Sequence, residues 1–206
     1  MSKLKADLYL DQIDTCRYWP VNATVTCENC LTQVKAGEKR IEDCSFLTSR
    51  QMQAFKLVAE ADKYLPSIPL VTLPQPMEAG LFPINGPDEN ALVIVSGNSR
   101  LTFEFLTDVW SRGVTPAHLL LVDCLGHTVD MAMVYGEFTP QKLWQALEKS
   151  GLEEKVEHRH MIVPGLTSPL VEDFIKATDW EIEVGPICAA ELPLFLGDRW
   201  MFSDPA

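Results

Sequence analysis

Leu92-Val93-Ile94-Val95-Ser96-Gly97-Asn98-Ser99 decides the fold. An unbroken apolar run that ends in a Gly/Asn turn reads as a buried strand whose turn opens a helix. The helix follows over residues 100–110, with Leu101, Phe105, Leu106 and Val109 on one side. Further along, residues 118–122 hold a second apolar strand, Leu119-Leu120-Leu121-Val122, ended by Asp123. Residues 140–149 predict a helix, with Thr139 as its cap and Pro140 in the first position. Residues 160–163 predict a third strand, broken by Pro164-Gly165. A helix over 169–177, a strand over 181–184 and a final helix over 189–196 complete the pattern.

Strands that are continuously apolar and alternate with helices mark a parallel sheet covered on both faces. The expected class is α/β, an open, mostly parallel sheet of the Rossmann/flavodoxin-like kind. Ligands of such sheets bind outside the carboxyl ends of the strands. Those ends are Ser96-Gly97-Asn98-Ser99, residues 123–135, residues 164–168 and Gly185-Pro186. These loops are short of charge and rich in Gly, Ser, Thr, Asn or Pro. They suit a bulky, amide-rich ligand held mostly by backbone groups, and they equally suit plain strand-to-helix turns. The Gly-x-Gly-x-x-Gly, P-loop and Gly-x-Ser-x-Gly signatures are absent from the sequence. His158 and His160 share a strand face, which fits either a metal pair or simple flanking of the strand start.

The chain has 206 residues, 47% of them apolar, and a formal net charge of −12. All of that net charge falls on residues 74–206, since the first 73 residues balance. A strongly acidic surface argues against nucleic acid and against anionic membrane as partners. With no apolar run near the roughly 20 residues of a bilayer span, and none at the start, the expected location is cytoplasmic. Three regions are expected: a Cys-rich module over residues 1–65, a proline-dense linker over 66–90, and an α/β domain over 91–206.

Within the first region, residues 49–64 predict a helix capped by Thr48 or Ser49. The residues before it carry too few large side chains to fold alone, so a staple is expected. Cys16, Cys27, Cys30 and Cys44 are its candidates, with Cys27-Glu28-Asn29-Cys30 forming a Cys-x2-Cys knuckle. A second knuckle, usual for tetrahedral zinc, is missing. The residues leave zinc, a 4Fe–4S cluster and metal-free thiols as alternatives.

Gly80-Leu81-Phe82-Pro83-Ile84-Asn85-Gly86-Pro87-Asp88-Glu89-Asn90, followed by Val93-Ile94-Val95 and Leu101-Thr102-Phe103, resembles one known segment. It is that of the corrinoid-binding domain in the large subunit of the corrinoid iron–sulfur protein of the acetyl-CoA synthase system. Leu120-Leu121-Val122-Asp123, Ile162-Val163-Pro164-Gly165 and Trp180-Glu181-Ile182-Glu183-Val184-Gly185-Pro186 continue the likeness, which spans about residues 80–197. Cys30-Leu31, Lys35-Ala36-Gly37-Glu38-Lys39 and Asp43-Cys44 resemble that family's cluster module. The cysteine spacing departs from the family pattern. The family's TIM barrel, which lies between the two modules, is replaced by the proline-dense stretch. The mercury-methylating corrinoid protein is a more distant likeness.

The resemblance implies a carrier that holds a methyl group on base-off cobalamin, with a low-potential cluster to rescue oxidised cobalt. Such a component belongs to anaerobic one-carbon metabolism and to methyltransferase systems, and does not turn over alone. Its implied partners are methyl-donor and methyl-acceptor proteins, a reductase or activator, and a separate barrel-containing subunit. The implied corrinoid contacts are Ser96, Gly97, Asn98, Thr102, Met131, Met133, Tyr135, Gly136, Pro164, Gly165, Thr167 and Gly185; the implied cluster ligands are Cys16, Cys27, Cys30 and Cys44. Met133 aligns under the cobalt, where a soft thioether suits the metal, and equally reads as a core methionine. Two alternatives stand beside the carrier. One is an assembly or regulatory subunit bearing zinc or a cluster, with a corrinoid-free α/β domain. The other is a corrinoid storage or delivery protein.

Overall fold

The computed structural model describes residues 3–4, 33–34, 36–44, 47–69 and 72–202. Five strands form one sheet: β1 (Gly80–Ile84), β2 (Leu92–Gly97), β3 (Ala117–Val122), β4 (His160–Val163) and β5 (Glu181–Val184). Their spatial order is β1-β3-β2-β4-β5, parallel throughout except for antiparallel β1. This is the α/β class expected from the sequence. A two-residue antiparallel pair, Lys3–Leu4 with Ile68–Pro69, lies outside it.

Six helices accompany the strands among the described residues: α1 (Ser49–Ala59), α2 (Arg100–Trp110), α3 (Val129–Val134), α4 (Pro140–Ser150), α5 (Val171–Thr178) and α6 (Leu192–Leu196). Local chemistry sets several ends. Thr48 Oγ1 accepts from Gln51 N, and Gln51 Oε1 accepts in return from Thr48 N, a reciprocal cap on α1. Thr139 caps α4 with Pro140 in its first turn, and Gly151 ends it in the left-handed conformation.

Because both faces are covered at the centre of the sheet, β2 and β3 are almost wholly buried and read as unbroken apolar runs, whereas the edge strands β1 and β5 are partly exposed. Val93, Val95, Leu120 and Val122 point to the side of Phe138, Leu143, Leu147 and Phe174. Ile94, Leu119, Leu121 and Ile162 point to the other, against Phe105, Leu106, Val109, Trp110 and Trp200. Phe55 and Val58 of α1 pack with Ile41, Cys44, Leu47 and Leu194, so α1 rests on the C-terminal segment.

Several expected elements are trimmed. The helix expected over 49–64 ends at Ala59, and a separate 3-10 turn follows at Ala61–Lys63. The helices expected at 169 and 189 begin with 3-10 turns, Gly165–Leu170 and Ala189–Glu191. Helix α3, strand β1 and the short Lys3–Leu4/Ile68–Pro69 pair were not foreseen. Strand β1 lies inside the proline-dense stretch, and Pro83 is tolerated there because β1 is an edge strand.

Strand β2 is the pivot. The chain leaves it through α2 for β3 on one side, and later returns to β4 on the other. A crevice at the carboxyl ends of β2 and β4 follows from this reversal.

Candidate functional site

The crevice is built from four loops. A hollow of about 270 Å³ is lined by Leu101, Thr102 and Phe105 of α2, Thr128 and Val129 at the start of α3, and Leu166, Ile187 and Cys188. Through Thr102, Ile187 and Ala189 it joins a narrow cleft of about 60 Å³ at Ser96, Val163, Pro164 and Gly185. The walls are mainly apolar.

Glycine makes the floor possible. A methyl group on Gly165 would sit 2.8 Å from both Gly185 O and Ile187 N, so the loops after β4 and β5 run in direct contact. Gly165 N donates to Pro186 O at 2.9 Å and Gly185 N to Val163 O at 2.8 Å, which ties them together. Gly97 has only ordinary contacts at its Cβ position, with Cys124 Sγ and His127 O at 3.5 Å.

The expected contact residues separate into two groups. Ser96, Thr102, Pro164, Gly165 and Gly185 converge at the crevice or its floor, whereas Gly97 faces Cys124 and His127 instead. Thr167 is fully buried, and its hydroxyl donates to Pro164 O at 2.7 Å, closing its own turn. Asn98 is likewise committed inward. Its Oδ1 accepts from Cys124 N and Gly126 N, while its Nδ2 donates to Met77 O and Asp123 Oδ1. Met133 is half-buried and packs against the α4-side core, and Met131 O accepts the capping N–H of Tyr135. Tyr135 is exposed with its ring 5.0 Å from that of His127, and Gly136 has open space where a side chain would stand.

One residue absent from the expected set stands out. Thr128 occupies the cap position of α3 but makes no capping bond, and its buried Oγ1 has no hydrogen-bond partner among the described residues. A threonine just ahead of a short helix was the only signal in the sequence. Leu125 and Ile187 stand exposed on the strand-end loops, and Val134 stands exposed at the end of α3.

Burial pushes the Cys124 thiol up to about 12 and the Cys188 thiol up to about 11, so both stay protonated near neutrality. Of the four expected cluster ligands, Cys16, Cys27 and Cys30 lie outside the described residues. Cys44 is buried beside α1, and its sulfur is not a free thiol. Among the described residues no three His, Cys, Asp or Glu side chains gather as a metal site. His158 Nε2 sits 3.0 Å from Ala91 O, whereas His160 Nε2 is 3.2 Å from Glu183 Oε2, so the two rings serve separate structural contacts. No helix among the described residues is long and apolar enough to cross a membrane.

A family model described as the CO dehydrogenase/acetyl-CoA synthase delta subunit matches residues 58–196. The chain belongs to this family. The acetyl-CoA decarbonylase/synthase complex subunit gamma of Methanopyrus kandleri is 35% identical over 123 residues, covering 60% of this chain and 27% of that protein. The Methanocaldococcus jannaschii subunit gamma is 33% identical over 127 residues, 62% of this chain and 26% of its own length. The corrinoid/iron-sulfur protein large subunit of Moorella thermoacetica is 31% identical over 123 residues, 60% of this chain and 28% of that one. The matched segment is thus about a quarter of each relative, and the family match starts beyond all four N-terminal cysteines.

Thr102 and Thr128 both line the hollow, and the Thr128 hydroxyl is buried without a partner among the described residues.

Proposed function

We propose that the chain holds a corrinoid across the carboxyl ends of β2 and β4 and serves as a methyl carrier between a donor and an acceptor protein. The crevice at the strand reversal, with the buried unpartnered Thr128 hydroxyl beside it, carries this reading. Membership in a family whose relatives are named as corrinoid/iron-sulfur and acetyl-CoA decarbonylase/synthase subunits supports it. A corrinoid bound there supplies the cobalt on which a methyl group is carried.

The chain's own contribution is binding and shielding. Thr102 and Thr128 offer hydroxyls to side-chain amides of the ring, and Phe105, Val129, Leu166 and Ile187 exclude water from its edge. Asn98 and Thr167 fix the loops around the site. Met133, packed against the core, contributes to the bed under α3. The exposed Leu125, Val134, Tyr135 and Ile187 form an apolar rim suited to donor, acceptor and activating proteins that must reach the same face. A 4Fe–4S cluster on Cys16, Cys27, Cys30 and Cys44, able to supply single electrons, would require Cys44, which is not a free thiol here, to be reduced first.

The test is cobalt, iron and zinc per chain after anaerobic purification and reconstitution with cobalamin, followed by methyl transfer to an acceptor. Stoichiometric cobalt that accepts and releases methyl supports the carrier. Cobalt that binds but never exchanges methyl turns the reading to storage or delivery. Zinc without cobalt turns it to an assembly or regulatory subunit.

A further inference from the structure

The segment that leads into β1 crosses the loops after β2 and β3, and hydrogen bonds hold it there. Gln75 N donates to Gly126 O at 3.0 Å and Met77 N to Asn98 O at 2.8 Å, while Gln75 O accepts from Arg100 N and Met77 O from Asn98 Nδ2, both at 2.9 Å. Pro76 bridges to Ser99 between these bonds. Its backbone passes so close to Gly126 that a side chain there would collide with it.

Upstream of Gln75 the restraint stops. Thr72 lines the hollow, as Ile68 does, yet Thr72, Leu73 and Pro74 make no hydrogen bond among the described residues. Leu73 is 74% exposed, and Ile187, on the lining of the same hollow, is 56% exposed. Two large apolar side chains thus stand in water at the margin of an apolar site. The hollow itself, about 270 Å³, falls just short of the roughly 300–1,000 Å³ in which small molecules are mostly enclosed. A bulky ligand seated there stands proud of it and is covered only by chain brought from outside. Leu73 precedes Pro74 and Gln75 precedes Pro76, and a residue before proline is held extended. The arm is therefore extended before and after it closes, so that closing costs little chain entropy.

We propose that Thr72–Pro74 is a strap that tilts down beyond its Gln75–Met77 anchor onto the ligand in the crevice and buries Leu73 against it. This rests on the reading of the crevice as a corrinoid site and adds how that site holds its ligand: the strap acts on release, not on encounter.

The full chain, with and without cobalamin, provides the test. The thiol introduced by Leu73→Cys should react quickly with N-ethylmaleimide in the ligand-free chain and about tenfold more slowly once cobalt is bound, read by peptide mapping. Leu73→Ser should leave the melting temperature of the ligand-free chain and the association rate of cobalamin unchanged, and should speed dissociation about tenfold. Cobalt retained with the thiol at position 73 as reactive as before would overturn the strap alone. So would a Leu73→Ser variant that releases cobalamin at the parent rate, or one that slows only its association. A chain that retains no cobalt would overturn the corrinoid reading and the strap with it.

Discussion

Asn98 fastens Gly126: the asparagine Oδ1 accepts from Gly126 N at 3.1 Å and from Cys124 N at 2.8 Å. One buried side chain from the β2 loop thereby sets the turn after β3. Gly126 in turn lies against the segment before β1, where an added methyl would fall 2.2 Å from Pro76 N. Asn98→Ala leaves two backbone N–H groups and the Met77 carbonyl short of partners, so a loss of about 3 kcal/mol is expected. Thermal unfolding should fall by roughly 10 °C. Gly126→Ala, at φ +77° and without room, should be at least as damaging. A melting temperature of Asn98→Ala within about 2 °C of the parent would refute the pinning role.

Gly165→Ala tests the crevice floor. The new methyl meets Gly185 O and Ile187 N at 2.8 Å, both backbone atoms, so the loops after β4 and β5 must part. A stability loss of about 2 kcal/mol is expected, with cobalamin binding weakened by about tenfold. Equilibrium dialysis with cobalamin checks it, and full affinity in a destabilised variant would place the ligand elsewhere.

The sheet and the helices over it were legible because burial on both faces leaves an unmistakable apolar run, and α2 spans the expected residues 100–110. The loops after β2, β3 and β4 were legible for the same reason, since each follows such a run, whereas the loop after β5 follows the alternating Glu181-Ile182-Glu183-Val184. What stayed hidden depends on long-range pairing. Strand β1 carries Pro83 and gains its status only by lying antiparallel to β3. The role of Asn98 in pinning two loops was hidden too, because a turn asparagine carries no sign of which backbone groups it will meet. Thr128 and His118 signal only through bonds they fail to make, and sequence does not record those.

Thr128→Val separates a ligand contact from a structural one. Removing a buried hydroxyl that has no partner should leave the protein without corrinoid equally stable, or more stable by about 1 kcal/mol. The same change should weaken cobalamin about tenfold, since a ligand amide loses its hydrogen-bond partner. Loss of stability without loss of affinity would assign Thr128 to the cap of α3 instead.

Cys188 lines the hollow, and its thiol is pushed up to about 11. At pH 8 its thiolate fraction is about two orders of magnitude below that of an ordinary cysteine, and iodoacetamide should modify it correspondingly slowly. Bound cobalamin should slow the reaction further by covering the hollow. Peptide mapping by mass spectrometry reads both effects, and rapid labelling that ignores cobalamin would contradict them.

His118 predicts the pH dependence of stability. Burial holds its pKa below the ordinary 6.5, and the positive charges of Lys155 and His158 add to this while Asp88 works against it. As pH falls through 6.5 the unfolded chain takes up this proton before the folded chain does. Stability from this group is therefore complete above that point and declines with falling pH until the folded pKa is reached. His118→Gln removes the titration while keeping a polar side chain. The variant's stability should vary less between pH 7 and 5 than the parent's, and equal slopes in urea titrations across that range would show that His118 is not the group responsible.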